Sequence, residues 1–158
     1  MNSKLKYILS LSAKFTYFES AKILYQRNQL KKIICGYPWF KLRNEKIPKS
    51  FISSNGIYNI LKRPFLDFSY AKYYLDFLGI LNKKNIDNKT LKFIEKNNEF
   101  DVLLGLAGVA LKSGKKTLGM NKIFVCERSS SEIGFQNQLL SDEYKSFNIK
   151  FNKTNKWF

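Results

Sequence analysis

Residues 124–140 read FVCERSSSEIGFQNQLL. Four apolar residues, Ile123 to Cys126, run into Glu127 and Arg128, then three serines, then an amphipathic segment. A short apolar run of this kind fits a buried strand. Ser129-Ser130-Ser131-Glu132 fits a capping box, a hydroxyl at the N-cap with a carboxylate three residues on. The helix so predicted reaches about Phe147, with Ile133, Gln136 or Asn137, Leu140, Tyr144 and Phe147 facing inward.

The same grammar of apolar strand, small polar turn and amphipathic helix recurs upstream. Tyr7 to Leu11 reads as a strand, Ser12 to Lys14 as its turn, and Thr16-Tyr-Phe-Glu19 as another capping box. That helix runs to about Asn28, with Phe18, Ala21, Leu24 and Tyr25 inward, and a strand from Lys32 to Cys35 stops at Gly36. In a third unit Phe100 to Leu104 is the strand, Gly105 to Gly108 the turn and Val109 to Leu118 the helix. Strands that are apolar throughout and alternate with helices predict an α/β fold, a Rossmann-like parallel sheet flanked by helices on both faces.

The middle of the chain lacks this grammar. GYPWFKLRNEKIP, from Gly36, is a loop with Pro38 and Pro48, and short helical pieces are predicted around Ile57 to Leu61, Leu66 to Leu81 and Thr90 to Lys96. Phe65, Phe68, Tyr70, Tyr73, Tyr74 and Phe77 crowd this region. We expect them to pack on the sheet; the alternative is an exposed basic-aromatic surface lying on a membrane.

The 158 residues, 44% apolar, suit one domain that buries roughly 70% of its unfolded surface. Cys35 and Cys126 both lie in apolar runs and read as small core residues. There is no histidine, which removes histidine metal ligands, Ser-His and Cys-His nucleophile pairs and any imidazole base. The formal charge is +16, from 24 Lys and 4 Arg against 12 acids, and points to an anionic partner. Abundant Lys, Asn and Ile are also what AT-rich coding yields by default, and the scarcity of Arg weakens a nucleic-acid reading. The longest apolar run, Val102 to Leu111, falls short of the roughly 20 residues a membrane span needs. KLKYILSLSAKF at the start imitates a signal peptide but reads better as the first core strand, so a cytoplasmic chain is expected, with possible peripheral contact at the inner face of the cell membrane.

In an open parallel sheet, ligands bind beyond the carboxyl ends of the strands, where helix N-termini point. Ser12 and Lys14, Gly105 to Gly108, and Glu127 to Ser131 all fall at that edge. Capping requires one hydroxyl, so the remaining serines are available to a ligand. Arg128 could pair with Glu127 or Glu132, yet its planar fork also suits sugar hydroxyls or a phosphate. Neither GxGxxG nor GxxxxGK[ST] is present, which disfavours a complete dinucleotide or P-loop site.

Three stretches, FTYFESAKILYQRNQLKKIICGYPWFKLRNEKIP, FDVLLGLAGVALKSG and IFVCERSSSEIGFQNQLLSDEY, resemble in type and order the N-terminal domain of family 4 glycosyltransferases, retaining enzymes of the GT-B fold. The resemblance covers about half the chain, and its most specific part is the acidic-Arg-small-Ser turn followed by aromatic-Gln-Asn. It implies hexosyl transfer from a nucleotide sugar to a saccharide or lipid-linked acceptor in surface glycan synthesis, with no metal. The acceptor would be held by the turns, that is by Ser12, Lys14, Thr16, Gly105, Gly108, Glu127, Arg128, Ser129, Ser130 and Ser131; no catalytic residue is assigned.

Departures from that family matter. Its members often carry His where Thr16 and Glu132 stand here, so no histidine role carries over. The family's second Rossmann-like domain holds the nucleotide-sugar donor, usually with two Glu separated by seven residues, and no such pair occurs here. The terminal NIKFNKTNKWF is polar and adds no strand-helix unit. The expectation is an incomplete N-terminal domain over 1–150, a polar tail over 151–158 and no donor domain, hence little or no activity alone, unless a separate chain supplies the missing half. The alternatives are a non-catalytic basic module that binds anionic membrane or nucleic acid, and an α/β enzyme of another kind.

Overall fold

The computed structural model describes residues 5–12, 14, 17–66, 68–128 and 133–151. Two compact units divide after Glu127, Met1–Glu127 and Arg128–Phe158. The first is an all-parallel sheet of five strands, β1 (Tyr7–Leu11), β2 (Leu30–Cys35), β3 (Ile52–Ser54), β4 (Val102–Leu106) and β5 (Ile123–Glu127), in the order β3-β2-β1-β4-β5. The Rossmann-like α/β expectation holds. Tyr7–Leu11, read as the first core strand, is the central strand, with Ile8, Leu9 and Leu11 fully buried.

Because side chains alternate along a strand, β1 sends Leu9 and Leu11 to one face and Ile8 and Ser10 to the other. On the first face α1 (Tyr17–Gln26) lays Phe18 and Ala21 against Leu9, Leu11 and Ile33, with Leu24 and Tyr25 packed beside them. On the second, α3 (Lys72–Lys96) covers Ile8, Ile34 and Leu103 with Ile86 and Ile94, Val109 joins them from the turn after β4, and α4 (Leu111–Gly119) buries Ser113, Gly114 and Thr117. The ends of α1 and two further helices share one device. Gln29 N–H bonds Leu24 O and Asn28 N–H bonds Tyr25 O, with Asn28 at φ 55°, which is a Schellman end with Asn in place of glycine. Asn121 after α4 and Asn148 after α5 (Ile133–Ser146), in the second unit, repeat it.

Four expectations are corrected. Leu66 to Leu81 and Thr90 to Lys96 are not separate pieces: α3 is one helix of 25 residues, preceded by α2 (Ile57–Lys62). The polar run that hid its continuity, Asn82 to Asn88, contains no glycine or proline; Asn82 and Asp87 within it are buried, Asp87 against the start of α4. Second, the aromatics do not pack on the sheet: Tyr70 and Tyr73 are 77% and 88% exposed, and Phe65, Phe68, Tyr74 and Phe77 are also open. They lie in and before the first turns of α3, ahead of the part that meets β1 and β2. Third, Cys35 is buried but Cys126 is exposed, because β5 is the edge strand and α4 covers it at Phe124. Fourth, on α5 Asn137 is buried, whereas Leu140, Tyr144 and Phe147 are exposed; the Tyr144 ring stands 5.2 Å from that of Phe151. Among the described residues no helix is long and apolar enough to cross a membrane.

Candidate functional site

From β1 the sheet grows one way to β2 and β3 and the other way to β4 and β5, so a topological switch lies between β1 and β4. In open parallel sheets the ligand crevice opens outside the carboxyl ends of the strands at such a switch. Leu11, Leu106 and Glu127 end β1, β4 and β5 at this edge, and the residues that follow them are the ones the sequence singled out.

After β1, Ser12 is half-buried and the ammonium of Lys14 lies 2.5 Å from Oε1 of Glu45. Glu45 arrives on the loop between β2 and β3 and is nearly buried. Its hydrogen bond holds the Lys14 pKa above the ordinary lysine value; burial opposes the shift, and the Glu45 charge adds to it. Tyr17, the first residue of α1, is buried, and the carboxylate of Glu127 lies near enough to act on its phenol. Burial first, and then that carboxylate, raise the phenol pKa. Tyr17 thus ties the start of α1, which follows β1, to the end of β5.

The turn after β4 is built for shape. Val109 N–H bonds Leu106 O at 3.0 Å, and Gly108, third in that turn, takes φ 79°, a conformation that costs glycine little. Ala107 N–H extends the ladder to Glu127 O at 2.8 Å. Gly105 is buried, and a Cβ there would stand 2.4 Å from Cβ of Ala110. The start of α4 already has its anion. Asp87 on α3 accepts from Lys112 N at 2.8 Å, Ser113 N at 2.9 Å and Ser113 Oγ at 2.7 Å. A carboxylate there satisfies orphan N–H groups and the helix dipole together, so this first turn offers little to an anionic ligand.

Beside the turn is an apolar hollow of about 160 Å³, between Leu106, Gly108 and Ala110, the α4 residues Leu111, Lys115 and Leu118, and Phe124 and Cys126 of β5. Cys35, by contrast, is no nucleophile: burial pushes its thiol up to about 11. The edge therefore presents donors, Lys14 and Tyr17, each matched to an acceptor, Glu45 and Glu127, next to an apolar wall. Such a balanced set suits hydroxyl groups, which both donate and accept, better than a free phosphate.

Of the predicted site residues, Ser12, Lys14, Gly105, Gly108 and Glu127 stand at this edge. Arg128 is exposed and begins the second unit. Thr16, Ser129, Ser130 and Ser131 lie outside the described residues, as do both predicted N-caps. Sequence reasoning missed Tyr17, Glu45 and Asp87 as site-shaping groups. Their partners are 110, 31 and about 25 residues away, so no local spacing signals them. No protein-family model, no curated protein and no solved structure matches this chain.

Proposed function

We propose that the chain is the acceptor-side domain of a family 4-type glycosyltransferase, holding a saccharide or lipid-linked acceptor at the carboxyl edge of its sheet. The observation that carries this reading is the pairing of Tyr17 with Glu127 and of Lys14 with Glu45 at the β1/β4 switch. Those pairs give a ligand alternating donors and acceptors, as a polyol requires. The three stretches that resemble the family supply α1, β2, β4, β5 and the turns between them, which supports the same assignment. The nucleotide sugar would be held by the family's other domain. The test is saturation-transfer NMR against a panel of neutral oligosaccharides, with the chain alone. Weak binding that Glu127→Gln and Tyr17→Phe abolish is expected, along with negligible sugar transfer from nucleotide sugars. No saccharide binding, or turnover by the chain alone at the rate of a whole enzyme, overturns the reading.

A second reading, a basic module resting on an anionic membrane, is favoured by the exposed cluster of Phe65, Phe68, Tyr70, Tyr73, Tyr74 and Phe77. Lys62, Arg63, Lys72 and Lys84 lie around it in sequence, and each cation near an anionic surface contributes about 1 kcal/mol. Sedimentation with phosphatidylglycerol vesicles should exceed that with phosphatidylcholine vesicles and fall in Tyr73→Ser/Phe77→Ser. Equal binding to both vesicles defeats it.

A further inference from the structure

One side of α3 carries a site that the acceptor edge does not use. Leu81, Lys84, Asn85, Asn88, Lys89 and Lys92, together with Tyr58 of α2, line a cleft of about 470 Å³. That volume falls in the range of small-molecule sites, about 300–1,000 Å³. Its polar lining is three ammonium groups, two amides and a phenol, with no carboxylate. Among the described residues Lys84, Lys89 and Lys92 form no ion pair. A fourth ammonium, that of Lys112, stands at the rim, 3.4 Å from Oδ1 of Asn88. The Asn85 amide donates to the Tyr58 hydroxyl at 3.4 Å, which leaves that hydroxyl's own proton to donate into the cleft. The buried acid of this helix, Asp87, is spent on the start of α4. Three lysines around one concavity, without a counter-charge, repel one another unless an anion joins them.

We propose that this cleft binds a small molecule carrying two or more phosphate groups. A phosphate group bears about −1.5 to −2 at neutral pH, so two of them match three ammonium groups. The Tyr58 ring and Leu81 supply an apolar wall for the organic part of the ligand. The concave shape and the use of lysine, with no arginine in the lining, favour a small molecule over a nucleic-acid strand.

The test uses the full chain and inorganic pyrophosphate, followed by calorimetry at low salt. Lys84→Gln/Lys89→Gln/Lys92→Gln should raise Kd at least about tenfold. A control of equal charge change, Lys116→Gln/Lys145→Gln/Lys150→Gln, should alter it less than about twofold. In the unaltered protein, pyrophosphate should shield Lys84, Lys89 and Lys92 from acetylation more than Lys116. Lys84 and Lys92 are exposed and Lys89 is half-buried, so the variants should fold, and melting curves close to the parent's are expected. Equal loss in the control, absence of pyrophosphate binding, or a cluster effect on anionic vesicles alone would each overturn the proposal.

Discussion

The two faces of the sheet are held by different means. On the α1 face, Leu9, Leu11, Phe18, Ala21 and Ile33 meet as apolar surface, and the polar ties described above, Tyr17 with Glu127 and Lys14 with Glu45, lie at the rim. On the α3 and α4 face an apolar cluster is threaded by buried polar pairs. Ser10 Oγ lies 2.9 Å from Thr90 Oγ1, Thr90 donates in turn to Ile86 O, and Asp87 clamps the start of α4. Apolar contact is non-directional and scales with area, whereas a buried hydrogen bond fixes one register and penalises every other. The first face is glued and the second is keyed. That difference explains how α3, with polar residues on its inward side, still docks in one place.

The sharpest test of the glued face is Phe18→Ala. Phe18 is 1% exposed, so its loss should cost about 3–5 kcal/mol and lower the melting temperature by roughly 10 °C or more. If Asp87→Ala proves more damaging than Phe18→Ala in denaturant unfolding, the keyed face dominates and the contrast must be inverted. We expect Asp87→Ala to cost about 2–3 kcal/mol, since two backbone N–H groups and the Ser113 hydroxyl lose their acceptor in a buried setting. Hydrogen exchange should show the loss first at Lys112 and Ser113, while α1 amides stay protected.

A finer probe separates key from glue by non-additivity. Thr90→Val leaves the Ser10 hydroxyl buried without its partner and should cost about 1–2 kcal/mol. Ser10→Ala alone should cost a similar amount. The double variant should cost clearly less than the two together, because no orphan remains. Strict additivity would mean that the pair is not coupled and that α3 is held by Ile86 and Ile94 alone.

The same contrast decides what could be read from the residues. Glued elements announce themselves locally. The apolar runs at Tyr7, Phe100 and Ile123 and the spacing of Phe18, Ala21, Leu24 and Tyr25 predict β1, β4, β5 and α1 to within a residue or two, and the parallel sheet follows. Keyed elements do not. Asn82, Asp87 and Thr90 interrupt the apolar period of α3, and the groups that Asp87 and Thr90 meet, Ser113 and Ser10, lie elsewhere in the chain, so one long helix reads as fragments. β3 is illegible for another reason: of its three residues only Ile52 is apolar, and pairing with β2 makes it a strand. At the candidate site, topology alone puts Ser12, Lys14, Gly105, Gly108 and Glu127 at one edge. The groups that set its chemistry, Tyr17 and Glu45, arrive from α1 and a distant loop without a signature.

The smallest effect concerns a polar tie at the rim of the glued face. Tyr17→Phe keeps the buried ring and removes only the hydroxyl beside Glu127, whose carboxylate is exposed, so at neutral pH the loss should be about 0.5–1 kcal/mol. The informative readout is alkaline. The Tyr17 pKa is raised in the folded protein, above the value near 10 of an unfolded tyrosine, so the folded state keeps its proton longer than the unfolded chain does. The resulting stability is complete below about pH 10 and is lost as pH rises from the unfolded pKa through the folded one. Melting temperatures of the parent should therefore fall in that window, and those of Tyr17→Phe should fall less steeply, so that the two curves approach each other. Parallel curves would show that the phenol titrates alike in both states. A Tyr17→Phe loss as large as that of Phe18→Ala would show that the α1 face is keyed as well, and the distinction between the two faces would fail.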